Sequence, residues 1–294
     1  MDLICIRRKY RNIRRIIIAS FIITIFVYAF LAINHVYAEQ KKERIFAEDL
    51  ATIEKVIKEQ ERLEAEEVKK REPKILILDE MERLKYIYKP QEKRVFLTFD
   101  DGPSKKVTIP ILDLLKQENI KANFFVLGSR VDLYPSIVRR AYEEGHYIAN
   151  HGYSHEYSQI YASPNSVLEE YNKTNQAIRN AIGNPGYNSN IFRFPGGSVG
   201  GKYHNLKNEA KALLEQNNIA CVDWNVLNGD AEGLRTKETM LNRVKETMEG
   251  KISLVILMHD AADKTETYNM LPDLISYLRQ EGYEFNTFYD ILNK

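Results

Sequence analysis

From Arg94 onward, short apolar runs alternate with amphipathic helical patterns, and this restricts the fold more than any other feature of the chain. The runs RVFLTF, KANFFVLG, HYIANH, NIFRFPG, IACVDWNV, ISLVILMHD and YEFNTF read as strands. Between them, TIPILDLLKQEN, YPSIVRRAYEEG, PNSVLEEYNKTNQAIRNAIG, NEAKALLEQNN, TKETMLNRVKETMEG and NMLPDLISYLRQEG read as helices with one apolar face. Strand–helix alternation calls for a parallel sheet with covered faces. About seven such units suit a closed barrel better than an open sheet. In such barrels reactive groups gather at the C-terminal strand ends. The polar residues Asp100, His151, Arg193, Asp230 and His259 fall there.

The first 93 residues have a different texture. Residues 1–15 are strongly basic (RRKYRNIRR) and precede the unbroken apolar run IIIASFIITIFVYAFLAI. Residues 16–34 are long enough to span a bilayer as a helix, and the flanking charges predict a cytoplasmic N-terminus with the remainder exported. The expectation is a single-pass anchor in the cell membrane with the main domain extracellular. The alternative is a secreted protein cleaved near Ala38, where VYA has signal-peptidase character. Residues 39–93 read as a charged helical stalk and linker, with a narrow stripe at Leu50, Ile53, Val56 and Ile57. PKILILDE adds a short strand before the main domain, residues 94–294. Formal net charge is +1, which gives no field favouring nucleic acid. The two cysteines, Cys5 and Cys221, lie on opposite sides of the apolar run, so an intrachain disulfide is not expected. Oligomeric state is not legible.

Five short motifs carry the chemistry. In TFDDGP, Asp100 and Asp101 stand side by side. Neighbours in a strand face opposite ways, so two adjacent acids serve one site only where the strand gives out, as Gly102–Pro103 makes it do. In NHGYSH, His151 and His155 are four apart and converge on a helical turn or in a loop. Two histidines and one carboxylate form a common catalytic metal set with an open position for water. ILMHD puts His259 at a strand end, where an imidazole donates protons near neutral pH. DWNVLNGD offers Asp223, Trp224 and Asp230, and an acid beside a histidine fixes its tautomer. In FRFPGGS, Arg193 can hold a carboxylate by a bidentate fork, while Gly196 and Gly197 bring bare backbone close to a ligand. A solvated turn or a packed histidine explains any one motif alone. His35, His146 and His204 have no such acid pair to join and read as packing or surface residues.

Taken in order, these motifs resemble those of the polysaccharide deacetylases, carbohydrate esterase family 4 or the NodB-homology domain, over roughly two thirds of the sequence. Within it, the pattern is nearest to peptidoglycan N-acetylglucosamine deacetylases. The resemblance implies a distorted (β/α) barrel of about seven parallel strands, with Asp100 as catalytic base and Asp101, His151 and His155 as metal ligands. It implies Arg193 as the group steadying the base, His259 as general acid and Asp230 as its support. Leu257 would line an acetyl pocket, and Gly196 and Trp224 would border the substrate. The implied cofactor is a divalent metal, zinc first, with cobalt, nickel or iron also allowed by these ligands. The implied partner is a cell-wall glycan. Gly152, Gly196 and Ala231 depart from the family's usual Thr or Ser, Tyr and Trp, which bears on groove shape and sugar preference. Chitin-like oligomers, an exopolysaccharide or muramic acid residues are alternative substrates. An inactive membrane-anchored scaffold is the reading from a different class.

Overall fold

The computed structural model describes the backbone of residues 3–71, 78–89 and 92–292, with side chains over 24–64, 79–89 and 92–292. Two compact units emerge, Met1–Ala65 and Glu66–Lys294.

A single helix, Leu3–Arg71, runs through the N-terminal sequence. Its charged part carries ion pairs one turn apart, Lys42 with Glu39, Arg44 with Glu48 and Arg62 with Glu59. These are the i,i+3 and i,i+4 pairs that support solvated helices. The expected transmembrane span is overturned. Among the described residues, no helix is long and apolar enough to cross a membrane. Of the apolar run, side chains are described only from residue 24 to residue 33, and charged sequence resumes at Glu39. A hydrocarbon core needs about 20 apolar residues. Residues 16–23 of the expected span lie outside the described side chains. The strand expected in PKILILDE, residues 73–80, lies mostly outside the described residues. Leu78–Lys85 is a helix, and the preceding residues 72–77 lie outside the description.

The second unit is a parallel sheet wrapped by helices. Its strands are β1 (Arg94–Asp100), β2 (Asn123–Val126), β3 (Tyr147–Asn150), β4 (Ile191–Phe192), β5 (Ala220–Cys221), β6 (Val226–Leu227), β7 (Ser253–His259) and β8 (Glu284–Phe285). The order is β5-β4-β3-β2-β1-β7-β6, with β8 paired to the start of β1. Every pairing is parallel. Seven strands thus form the distorted half-barrel, and β5 and β6 are its unpaired edges. The single run IACVDWNV supplies both edges, because it breaks at Val222–Asn225 and resumes across the barrel.

Strand alternation sorts the core into two layers. On β1, Val95, Leu97 and Phe99 face outward and pack with Leu112, Ile178 and Leu274 of the covering helices. Phe96 faces inward with Phe125, Tyr147, Val255 and Phe288. Met81, Leu84 and Ile87, from the Leu78–Lys85 helix and the turn after it, join this inner layer. Full burial of such a side chain contributes about 1.5–3 kcal/mol. The covering helices start and stop where local chemistry dictates. Ser163 caps the helix Pro164–Ile182 by accepting a bond from the Ser166 N–H, and Gly183, at φ 71°, ends it. The apolar inner layer fills the barrel floor and leaves the C-terminal strand ends to polar groups.

Candidate active site

The site grows from the ends of β1 and β7. Asp100 and His259 are register partners at the last rung of these strands. Both lie in the inward phase of the alternation, with Phe96 and Thr98 on one strand and Val255 and Leu257 on the other. Asp101 would point away if the strand continued. Its φ of 73° breaks the extended geometry and brings it to the same side. The turn after it is close-packed. A Cβ at Gly102 would collide with the Asp260 carboxylate, so only glycine fits there.

His151 and His155 converge from a loop, not a helical turn. His155 has φ 62°, and Glu170 holds the intervening backbone by accepting bonds from the N–H groups of Tyr153 and Ser154 at 2.6 and 2.7 Å. His151 Nε2 and His155 Nε2 face Asp101 Oδ1 at 3.5 and 3.3 Å. That oxygen is buried and has no hydrogen-bond partner among the described residues. His151 Nδ1 pairs with the Arg193 carbonyl at 2.8 Å, which assigns its proton to Nδ1 and leaves the Nε2 lone pair facing the cluster. Burial pushes this imidazole down to about 3, so it is neutral at pH 7. Donor atoms of Asp101, His151 and His155 all lie within 4.8 Å of one another. An orphaned carboxylate oxygen opposite two imidazole lone pairs fits a divalent cation.

Asp100 stands beside this cluster with a separate partner. Its Oδ1 accepts a bond from Arg193 Nη1 at 2.8 Å, while Oδ2 is 3.8 Å from His151 Nε2. The contact is single, not the bidentate fork expected. Arg193 is fully buried and divides its donors among Thr98 Oγ1, the Val222 carbonyl and the Asp223 carbonyl as well. Its guanidinium lies over the Phe125 ring at 3.9 Å. Burial raises the Asp100 carboxyl above its ordinary range, and the Arg193 charge opposes that rise. Across the cleft, His259 Nδ1 pairs with Asp230 Oδ1 at 2.7 Å, leaving Nε2 free. Burial alone would lower the His259 pKa. The hydrogen bond and charge of Asp230 outweigh it and raise the imidazole to about 9. Asp230 is held below its usual range, since bonds from His259 and Thr267 outweigh its own burial.

The remaining expected residues border this centre. Leu257 is buried, in register with Thr98 on β1 and Leu227 on β6. Gly196 and Gly197 have φ 72° and 74°. A Cβ on Gly197 would meet the Trp224 ring at 2.9 Å, so Trp224 backs this turn. Asp223 supports no histidine. It accepts from the Ser198 N–H at 3.1 Å and the Ser198 hydroxyl at 2.5 Å. His146 packs inside and accepts from the Ala122 N–H, while His35 and His204 are exposed. A cleft of about 430 Å³ opens beside Asp101 and His155, with Leu127, Arg130 and Leu133 in its wall.

Three structural contributors escaped the sequence reading. Lys207 is buried and donates to the Gly197 carbonyl at 2.7 Å, and the Tyr161 hydroxyl donates to the Pro195 carbonyl at 2.6 Å. Together they draw the carbonyls of the turn to one side. The Gly196 N–H makes no hydrogen bond among the described residues. Asp260 bonds Thr108 Oγ1 at 2.6 Å beneath the Asp101–Gly102 turn, and burial beside Asp101 pushes it up to about 7. Its place directly after His259 in ILMHD was the available signal. For Lys207 and Tyr161 none existed, because Lys207 lies on an ordinary helical pattern and Tyr161 in the turn after a short helix.

A parallel half-barrel that gathers a metal-ligand set, a separate carboxylate and an acid-supported imidazole at one end defines a metal-dependent hydrolase. Comparison with known proteins narrows the class. The family model described as polysaccharide deacetylase matches residues 88–213. A Bacillus subtilis protein provisionally named polysaccharide deacetylase YheN is 34% identical over 205 residues, 68% of this chain and 69% of its own. The peptidoglycan-N-acetylglucosamine deacetylase PgdA of Listeria monocytogenes is 33% identical over 195 residues, 66% of this chain and 38% of its own. The chain thus matches well under half of that longer relative. The solved structure of a Streptococcus mutans CE4 esterase superimposes with a TM-score of 0.63 and 31% identity, covering 70% of this chain and 90% of the other. The chain belongs to the polysaccharide deacetylase family, carbohydrate esterase family 4.

Proposed function

We propose that the protein hydrolyses the N-acetyl groups of peptidoglycan N-acetylglucosamine, releasing acetate and leaving glucosamine. The observation that carries this reading is the division of labour between two adjacent carboxylates. Asp101 joins His151 and His155 in the ligand cluster, while Asp100 is held by Arg193 outside it. A divalent cation bound there supplies a water activated near neutral pH and a charge that polarises the acetyl oxygen. Zinc is the first candidate, and the ligand set also accepts cobalt, nickel or iron.

This chain's residues do the rest. Asp100 takes the proton of the attacking water at Oδ2, the oxygen that Arg193 leaves free. The Gly196 N–H donates to the acetyl oxygen as it gains charge. His259 Nε2 protonates the departing sugar amine, and Asp230 keeps that imidazole oriented and charged. Leu257 and Trp224 wall the space around the acetyl group. The sugar is supported by the likeness to the Listeria relative, a peptidoglycan-N-acetylglucosamine deacetylase. Acetate release by the purified protein from peptidoglycan, chitin oligomers and poly-N-acetylglucosamine tests the reading, with a chelator-treated control. Metal-dependent release strongest on peptidoglycan is expected. Release strongest on another polymer overturns the substrate, and no release from any overturns the activity.

A further inference from the structure

Position 196 has a neighbour where its side chain would be. Gly196 has φ 72°, and a Cβ built on it would lie 2.5 Å from the Tyr157 hydroxyl oxygen. Tyr157 belongs to another segment, the short helix Tyr157–Ile160, two residues after His155. Its phenol reaches the Pro195–Gly197 turn and fills the volume that glycine leaves.

The ring is held by aromatic neighbours. Its centroid is 5.6 Å from the His155 ring, 5.5 Å from Tyr161 and 6.3 Å from Tyr203. Edge and tilted contacts of this kind favour one orientation. Tyr157 is nevertheless 39% exposed, so the phenol is open to an incoming molecule. The nearby tyrosines use their hydroxyls within the protein. Tyr161 donates to Pro195, Tyr171 to Ser189 and Tyr153 to Asp132. The Tyr157 hydroxyl has no such partner among the described residues. A partly exposed phenol bonded only to water is the ordinary alternative. What separates Tyr157 from that case is its seat between a residue of the ligand cluster and the glycine whose N–H is also free.

We propose that the Tyr157 hydroxyl donates a hydrogen bond to the substrate's acetyl oxygen as that oxygen becomes negative, as a second donor beside the Gly196 N–H. The inference rests on the deacetylase reading and adds to it an oxyanion donor from the histidine loop. Removing one donor of this type from an enzyme costs about 10²–10³-fold in kcat. Exposure to solvent puts Tyr157 at or below the low end of that range.

Tyr157→Phe keeps the ring and its contacts while deleting the donor. Wild type and variant are compared for kcat, KM, bound metal and melting temperature on the polymer that the wild type hydrolyses best. The expected result is a kcat lower by about 10–100-fold, with KM within about twofold and both metal content and melting temperature unchanged. A kcat within about twofold of wild type, a loss carried only by KM, or a loss accompanied by missing metal each overturns the proposal. In all three cases wild-type turnover leaves the deacetylase reading standing. A wild type without turnover on any polymer overturns both.

Discussion

Arg193 Nη1 lies 2.8 Å from Asp100 Oδ1 with both side chains buried, and the guanidinium shares its other donors with Thr98 and two backbone carbonyls. The pair ties β4 to β1 beneath the reacting groups. Removing one member of such a pair leaves the other buried without its partner, at a cost of about 3–5 kcal/mol. Arg193→Met is expected to lower unfolding free energy by that order in a denaturant titration. The carboxyl of Asp100, already raised by burial, loses the charge that opposes the rise. The acidic limb of the pH–rate profile therefore moves to higher pH in the variant.

His259 sets the opposite limb. As general acid it works protonated, and with its pKa at about 9 it holds the proton through neutral pH. Activity falls as pH rises through that value. Asp230→Asn keeps a hydrogen-bonding side chain but removes the charge that sustains the shift. The alkaline limb in the variant is expected to move down toward the ordinary histidine range near 6.5. A pH–kcat/KM profile of both proteins checks it, and an unmoved limb contradicts the assignment.

Gly102→Ala tests the packing under the acid pair. The added Cβ collides with the Asp260 carboxylate, which is itself tied to Thr108. Overpacking of this kind costs about 1–3 kcal/mol. The turn that aims Asp101 must shift, so lower metal affinity accompanies the lost stability. Thermal melting and a zinc titration read the two effects separately.

The parallel half-barrel was legible because long strands such as Arg94–Asp100 and Ser253–His259 announce themselves as buried apolar runs. The two-residue strands β5 and β6 were not resolved within IACVDWNV, since no periodicity marks a break in so short a run. The apolar run near the N-terminus misled in a different way. Its hydropathy suggested a membrane span, but the described helix is not long and apolar enough to make one. At the site, the motif residues lie together because strand ends collect them. Tyr157, Lys207 and Tyr161 were invisible because their contacts to residues 195–197 cross some 10–39 positions of sequence, and only folding brings them together. The direction of Asp101 was legible from Gly102–Pro103, whereas the reason that position 102 must be glycine required the Asp260 carboxylate.

The central claim is that one adjacent carboxylate holds a cation and the other does not. Zinc-binding stoichiometry, measured by equilibrium dialysis on the wild type, Asp100→Asn, Asp101→Asn and His151→Ala, tests it most directly. The prediction is one bound ion in the wild type and in Asp100→Asn, with Asp100→Asn nearly inactive, and lost occupancy in Asp101→Asn and His151→Ala. Full occupancy in His151→Ala, or loss of the ion in Asp100→Asn, would contradict it.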